Sequence, residues 1–129
     1  RVLAFVMLVL GCFEKYELVI ITNGLASVQN PRFKTSELRK YFKHIVISEE
    51  IGFAKPKNEI FDFTFNLLNN PEKESAIIIG DNLTSDIKGG VNYRIDTCWI
   101  NPTKAENPTE IVPTFEISDL KELKKILIL

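Results

Sequence analysis

Asp81 and Asp86 are the residues whose type and spacing most readily carry chemistry. They lie five residues apart, directly after the apolar run Ala76-Ile77-Ile78-Ile79-Gly80. Two acids so close repel each other unless something positive lies between them. A hard cation such as Mg²⁺ meets that need through carboxylate oxygens. Two other stretches end in polar groups. Leu18-Val19-Ile20-Ile21 runs into Thr22-Asn23-Gly24, which offers a hydroxyl and backbone amides, and Lys55 stands before Pro56. A hydroxyl, a lysine and a metal-binding acid pair are what a phosphate ester requires, because donors and cation hold its charged oxygens and stabilise charge in the transition state. Each residue alone has a plainer reading: Asp81 as a turn former, Asp86 as a solvated helix residue, Thr22 as a loop-capping hydroxyl, Lys55 as a solvated charge. Their order and spacing together argue for the site.

The elements that must position these groups follow from the pattern of apolar residues. Ile77 to Ile79 form a fully buried strand, since three consecutive β-branched residues leave no face for water. Glu17 to Ile21, His44 to Ser48 and Asp96 to Ile100 read as further strands, and Phe115 to Ile117 as a short edge strand. Asn23-Gly24 is a hairpin signal, but Leu25 to Gln29 does not alternate as a returning strand would, so a tight loop and a helix are expected there. That helix breaks or kinks at Pro31 and resumes through Thr35 to Tyr41. Asn58 to Asn69, with Ile60, Phe61, Phe63, Phe65, Leu67 and Leu68, suits a helix laid on a sheet, with Pro56 at or just before its first turn. Another is expected from about Ser85 to Asn92, where Gly89-Gly90 weakens the helix but permits close packing. Pro102, Pro108 and Pro113 mark a surface loop, and Ser118 to Glu122 opens a final amphipathic helix with a capping residue. Strands alternating with helices call for a mostly parallel sheet covered on both faces. In such a sheet Thr22, Lys55 and the acid pair emerge along one edge, where open α/β sheets bind their ligands.

At 129 residues the chain is one domain at most, spanning 1–129. Its 45% hydrophobic and 26% charged residues are those of an ordinary globular chain. A formal net charge of -1 gives no general attraction to nucleic acid polymers or anionic membranes. Cys12 and Cys98 lack metal spacing and lie in apolar surroundings, which suggests reduced core thiols in a reducing, cytoplasmic compartment. The apolar run Val2 to Leu10, ending at Gly11-Cys12, resembles a short signal segment but is too short to span a membrane as a helix. The favoured expectation is a buried helix from about Val2 to Lys15. His44, the single histidine, begins a strand and receives no catalytic role, and Trp99 reads as core.

Taken together, these stretches resemble the haloacid dehalogenase-like (HAD) hydrolase superfamily from about Tyr16 to the C-terminus. Ile20-Ile21-Thr22-Asn23-Gly24 is similar to its phosphate-binding motif. Ala54-Lys55-Pro56 with Ile60-Phe61 is similar to the motif whose lysine steadies nucleophile and phosphoryl group. Gly80-Asp81 with Asp86 is similar to the acids that support Mg²⁺. The resemblance implies a Rossmann-like three-layer core in which Thr22 and Lys55 act in catalysis. Thr22, Asn23, Gly24 and Lys55 would hold the substrate phosphate. Asp81 would ligate Mg²⁺ directly, and Asp86 would act through water or by orienting the first acid. Ser48-Glu49-Glu50, Ser85 to Gly90 and Asp96 to Pro102 are similar to the pyrimidine 5′-nucleotidase branch. The expected substrate is accordingly a small phosphorylated molecule, a pyrimidine nucleoside 5′-monophosphate. Dehalogenases of the superfamily carry a Ser-Asn type motif where this chain has Gly80-Asp81. Arg94 departs from the branch, which has a glycine in that turn.

A larger departure is an absence. The family's Asp-x-Asp motif, whose first acid attacks phosphorus to form an aspartyl-phosphate, occurs nowhere, and the first aspartate of the chain is Asp62. The helical cap that follows the first strand in the family is missing too. By resemblance that strand lies between those ending at Thr22 and Asp81, so a partial core without its central strand and inactive alone is expected. An empty slot would leave two buried strand edges unpaired. Either the flanking strands close up, or Val2 to Leu10 fills the slot, or the chain is unstable alone. A non-catalytic module that binds phosphorylated ligands or a partner chain is the alternative. A receiver-like domain fits less well, because its acids should precede its Thr and Lys. Oligomeric state stays open.

Overall fold

The protein's structure is a computed structural model that describes residues 5–10, 16–24 and 42–127. In chain order the strands are β1 (Phe5–Leu10), β2 (Tyr16–Thr22), β3 (Phe42–Ile47), β4 (Ala76–Gly80), β5 (Asp96–Ile100) and β6 (Phe115–Ile117). The helices are α1 (Ser48–Ile51), α2 (Asn58–Leu67), α3 (Lys88–Tyr93) and α4 (Leu123–Leu127). They belong to an α/β fold built on one six-stranded sheet of order β3-β2-β1-β4-β5-β6. β2 and β3 pair in parallel, as do β4 with β5 and β5 with β6.

β1 is the exception and overturns one expectation. Val2 to Lys15 was expected as a helix, yet Phe5–Leu10 is a strand between β2 and β4, antiparallel to both. Of the three outcomes for the central slot, the one in which the N-terminal run fills it is the one observed. The physical reason is hydrogen bonding. An unbroken apolar run has no periodicity to separate helix from strand, and only a strand can pair the facing edges of β2 and β4. The segments expected as helices over Leu25 to Gln29 and Thr35 to Tyr41 lie outside the described residues, as does Cys12.

β4 is buried along its whole length, as three consecutive isoleucines require. α2 lays Ile60, Phe61, Thr64 and Phe65 on the core, a 3.6-residue stripe. Phe63 and Leu67, counted with that face from sequence, are partly exposed instead. α3 presses close because it has no side chain at two positions. A Cβ on Gly89 would come within 2.7 Å of Phe61, and one on Gly90 within 2.5 Å of Thr97 and 2.6 Å of Ile78. The helix expected from Ser85 starts differently: a wide π turn, Leu83–Ile87, leads into α3. α4 is preceded by a 3₁₀ turn capped by Asp119, with Glu122 completing the capping box. No helix among the described residues is long and apolar enough to cross a membrane.

Candidate active site

β1 runs antiparallel to both β2 and β4, so β2 and β4 are parallel to each other and end on the same edge of the sheet. Thr22 closes β2, and Asp81 follows Gly80 at the end of β4. Lys55 arrives from the loop between α1 and α2. These are the sequence-predicted site residues, and the fold brings them to one edge.

Lys55 lies at the centre. It is only 3% exposed, and Asp86 and Thr22 are 0% and 1% exposed. Its Nζ donates to the Ile21 carbonyl at 2.8 Å and to Asp86 Oδ1. A buried ammonium between a strand-end carbonyl and a carboxylate is thus paired and hydrogen-bonded, as a buried charge must be. Burial pushes the Lys55 ammonium below its ordinary range, and the attraction of Asp86 opposes that shift. Burial likewise pushes the Asp86 carboxyl up, opposed by Lys55 and by the Asn82 amide. Asp86 was read as a solvated residue in its plain interpretation. The π turn excludes that, because it turns the Asp86 side chain inward. Asn82 caps the turn, its Oδ1 accepting from Thr84 N at 3.0 Å and Ser85 N at 3.1 Å. The Asn82 amide donates back to Asp86 Oδ2 at 3.2 Å.

The Thr22-Asn23-Gly24 loop is tied down by its own polar groups. Gly24 N donates to Thr22 Oγ1 at 2.9 Å. Asn23 grips the Lys55 backbone from both sides: its Nδ2 donates to Lys55 O at 3.1 Å, and Lys55 N donates to its Oδ1 at 2.9 Å. The Asn23 side chain, expected at a substrate phosphate, is therefore spent on joining two loops. No sequence signal separates an asparagine that binds a ligand from one that braces a backbone 32 residues away.

Asp81 is exposed at the strand end, and its charge acts on both Lys55 and Asp86. Asp81 and Asp86 offer hard carboxylate oxygens, the donor type Mg²⁺ takes, and that ion is commonly held by one or two carboxylates plus water or phosphate. The donor chemistry fits. Among the described residues no group of three or more His, Cys, Asp or Glu is arranged to hold a metal ion. β1, which occupies the slot between the two strand ends, reads Phe-Val-Met-Leu-Val-Leu and brings no acid.

The ordered trio of threonine, lysine and paired acids on one sheet edge coincides with a family match over residues 13–100, to the model of the haloacid dehalogenase-like hydrolases. The chain belongs to that family. It is 44% identical over 108 residues to the pyrimidine 5′-nucleotidase YjjG of Escherichia coli (strain K12), covering 84% of this chain and 48% of that protein. To the pyrimidine 5′-nucleotidase PynA of Streptococcus pneumoniae it is 38% identical over 108 residues, covering 84% and 46%. The magnesium-bound crystal structure of the Bacillus subtilis HAD-hydrolase YfnB superposes with a TM-score of 0.83 at 45% identity, covering 88% of this chain and 50% of that one. The chain spans about half the length of the curated relatives it matches. As a HAD hydrolase it is similar to phosphatases and nucleotidases. Trp99, read as core from sequence, is buried in this HAD core but also reaches the site: its Nε1 donates to the Asp81 carbonyl at 3.1 Å.

Proposed function

We propose that these residues form part of a Mg²⁺-dependent phosphate monoester hydrolase acting on pyrimidine nucleoside 5′-monophosphates, with the attacking carboxylate contributed by polypeptide outside the 129 residues. The observation that carries this reading is the buried Lys55–Asp86 pair at the strand edge shared by Thr22 and Asp81. Similarity to the two pyrimidine 5′-nucleotidases supports the substrate class. The magnesium in the YfnB structure supports the cofactor.

In this reading Asp81 would ligate the ion and the buried Asp86 would act through water or by orienting that acid, and the ion when bound would neutralise charge on the phosphoryl oxygens. Lys55 keeps its ammonium beside the reacting centre because Ile21 O and Asp86 fix Nζ from two directions, and Asn23 fixes its backbone. A lysine so held loses little freedom when an anionic ester arrives, which is the gain of preorganisation. Thr22 contributes a hydroxyl at the end of β2, where the ester oxygens would lie, and the Gly24 amide orients that hydroxyl. The aspartyl-phosphate forms on the carboxylate supplied from outside. A reducing, cytoplasmic setting belongs to the same reading and is supported by the buried free thiol of Cys98.

One observation favours a second reading. β1 closes the sheet with both edges paired and brings no acid, which suits a non-catalytic module that binds phosphorylated ligands. The two readings separate in the DNA upstream of the Arg1 codon. An in-frame Asp-x-Asp strand there is expected, and its absence would leave only the binding module. With Mg²⁺ and a chromogenic phosphate ester, the isolated chain is expected to show no turnover above background. Robust turnover would sink the account of the nucleophile.

A further inference from the structure

Trp99 is the single tryptophan of the chain, and its position is not explained by packing alone. It is 6% exposed on β5 and clusters with Leu83, Ile87 and the partly buried Ile111. Leu83 and Ile87 are the two ends of the π turn. The cluster therefore fastens the underside of the turn that carries Asp86, and brings in the loop after β5 through Ile111. The indole also has a directed contact, Nε1–H to the carbonyl of Asp81 at 3.1 Å. Asp81 itself is exposed. The indole bond ties the Asp81 backbone, at the tip of β4, to the next strand of the sheet. The Asn82 side chain and amide organise the turn from within, whereas Trp99 ties it to β5.

We propose that Trp99 is a positioning residue for the acid loop: through its indole N–H it fixes the Asp81 backbone, so that Asp81 is presented to a divalent cation with the buried Asp86 behind it. This rests on the reading of Asp81 and Asp86 as metal-supporting acids. Groups that orient a metal ligand, though they never touch the ion, typically change metal affinity by about 10–100-fold when removed. Phe at position 99 keeps an aromatic ring on the apolar cluster and deletes only the donor.

Mg²⁺ titration by calorimetry on the wild-type chain and on Trp99→Phe, Asp81→Asn and Ile111→Ala tests the role, with thermal unfolding recorded for each. Trp99→Phe is expected to weaken Mg²⁺ binding about tenfold, the lower end of that range. Asp81→Asn is expected to abolish binding. Ile111→Ala, which thins the same apolar cluster but leaves the indole N–H in place, is expected to lower the melting temperature and leave Mg²⁺ affinity unchanged. A purely structural role for Trp99 would move both cluster variants alike. The single indole N–H resonance of the wild-type chain gives a second readout that needs no variant to fold. Mg²⁺ should shift it, and should not do so in Asp81→Asn. Binding lost in Asp81→Asn but unchanged in Trp99→Phe, or an indole resonance indifferent to saturating Mg²⁺, overturns the positioning role alone. Wild-type affinity in Asp81→Asn, or no binding by the wild-type chain, sinks the metal reading and this role with it.

Discussion

Lys55 and Asp86 show how much a single pair can depend on its surroundings. Both are charged residues in the interior, and each is tolerable because it is paired with the other and hydrogen-bonded, Lys55 to the Ile21 carbonyl and Asp86 to the Asn82 amide. Removing one partner leaves an uncompensated charge in a place where water cannot reach it. Lys55→Met is therefore expected to cost about 3–5 kcal/mol of stability in urea unfolding. Adding Asp86→Leu to that variant should recover most of the loss, since a buried pair replaced by apolar groups of similar volume is often neutral. A single variant within about 1 kcal/mol of wild type would contradict the burial of the pair. The order of these residues was legible in the sequence, as were their types. Their mutual contact was not, because 31 residues separate them and only the return of the chain to the same sheet edge brings them together. Asn23 makes the same point: its pattern resembles a phosphate loop, while its side chain braces Lys55.

At the scale of elements, α3 and the turn that follows it carry opposite constraints on the backbone. Gly90 has no room for a Cβ against Ile78 and Thr97, so Gly90→Ala must push β4, β5 or the helix aside. Overpacking of this kind costs about 1–3 kcal/mol. Arg94, four residues on, adopts φ 65 in the left-handed region as the C-cap of α3, a conformation that favours glycine. Arg94→Gly is expected to stabilise the protein by about 0.5–1 kcal/mol, the relief of left-handed strain being partly offset by the looser unfolded chain. Denaturant midpoints of the two variants should therefore move in opposite directions, and a shift in the same direction would show that this packing is misread. The departure of Arg94 from glycine was visible in the sequence. The π turn before α3 was not, because a helix opening with one residue too many per turn has no compositional signature and is held here by Asn82 and Asp86 themselves.

For the whole molecule the decisive feature is β1. It sits between β2 and β4 with both edges paired, and in the opposite sense to the strands beside it. A proline placed at Leu8 removes a ladder donor from the middle of the sheet, where proline is essentially never tolerated. Leu8→Pro is expected to abolish the cooperative thermal transition seen by circular dichroism. A variant melting as the wild type does would mean that the two halves of the sheet hold without β1. The orientation also decides which residues of β1 reach the site edge. The strand between Thr22 and Asp81 meets that edge at its beginning, Phe5 pairing with Gly80, and its residues are all apolar.

The sequence by itself determined the family and the strands ending at Thr22, Gly80 and Ile100, because buried strands and their polar termini are written in local residue type. It also picked out Thr22, Lys55, Asp81 and Asp86, the threonine, lysine and acids that the fold gathers on one sheet edge. The tertiary structure alone decided that Asp86 is buried against Lys55, that Asn23 and Trp99 act as braces, and that Phe5–Leu10 is a strand. Each of these depends on which distant backbone groups need a partner. A uniformly apolar run is compatible with helix or strand until two unpaired edges are placed on either side of it, and hydrogen bonding then leaves one answer.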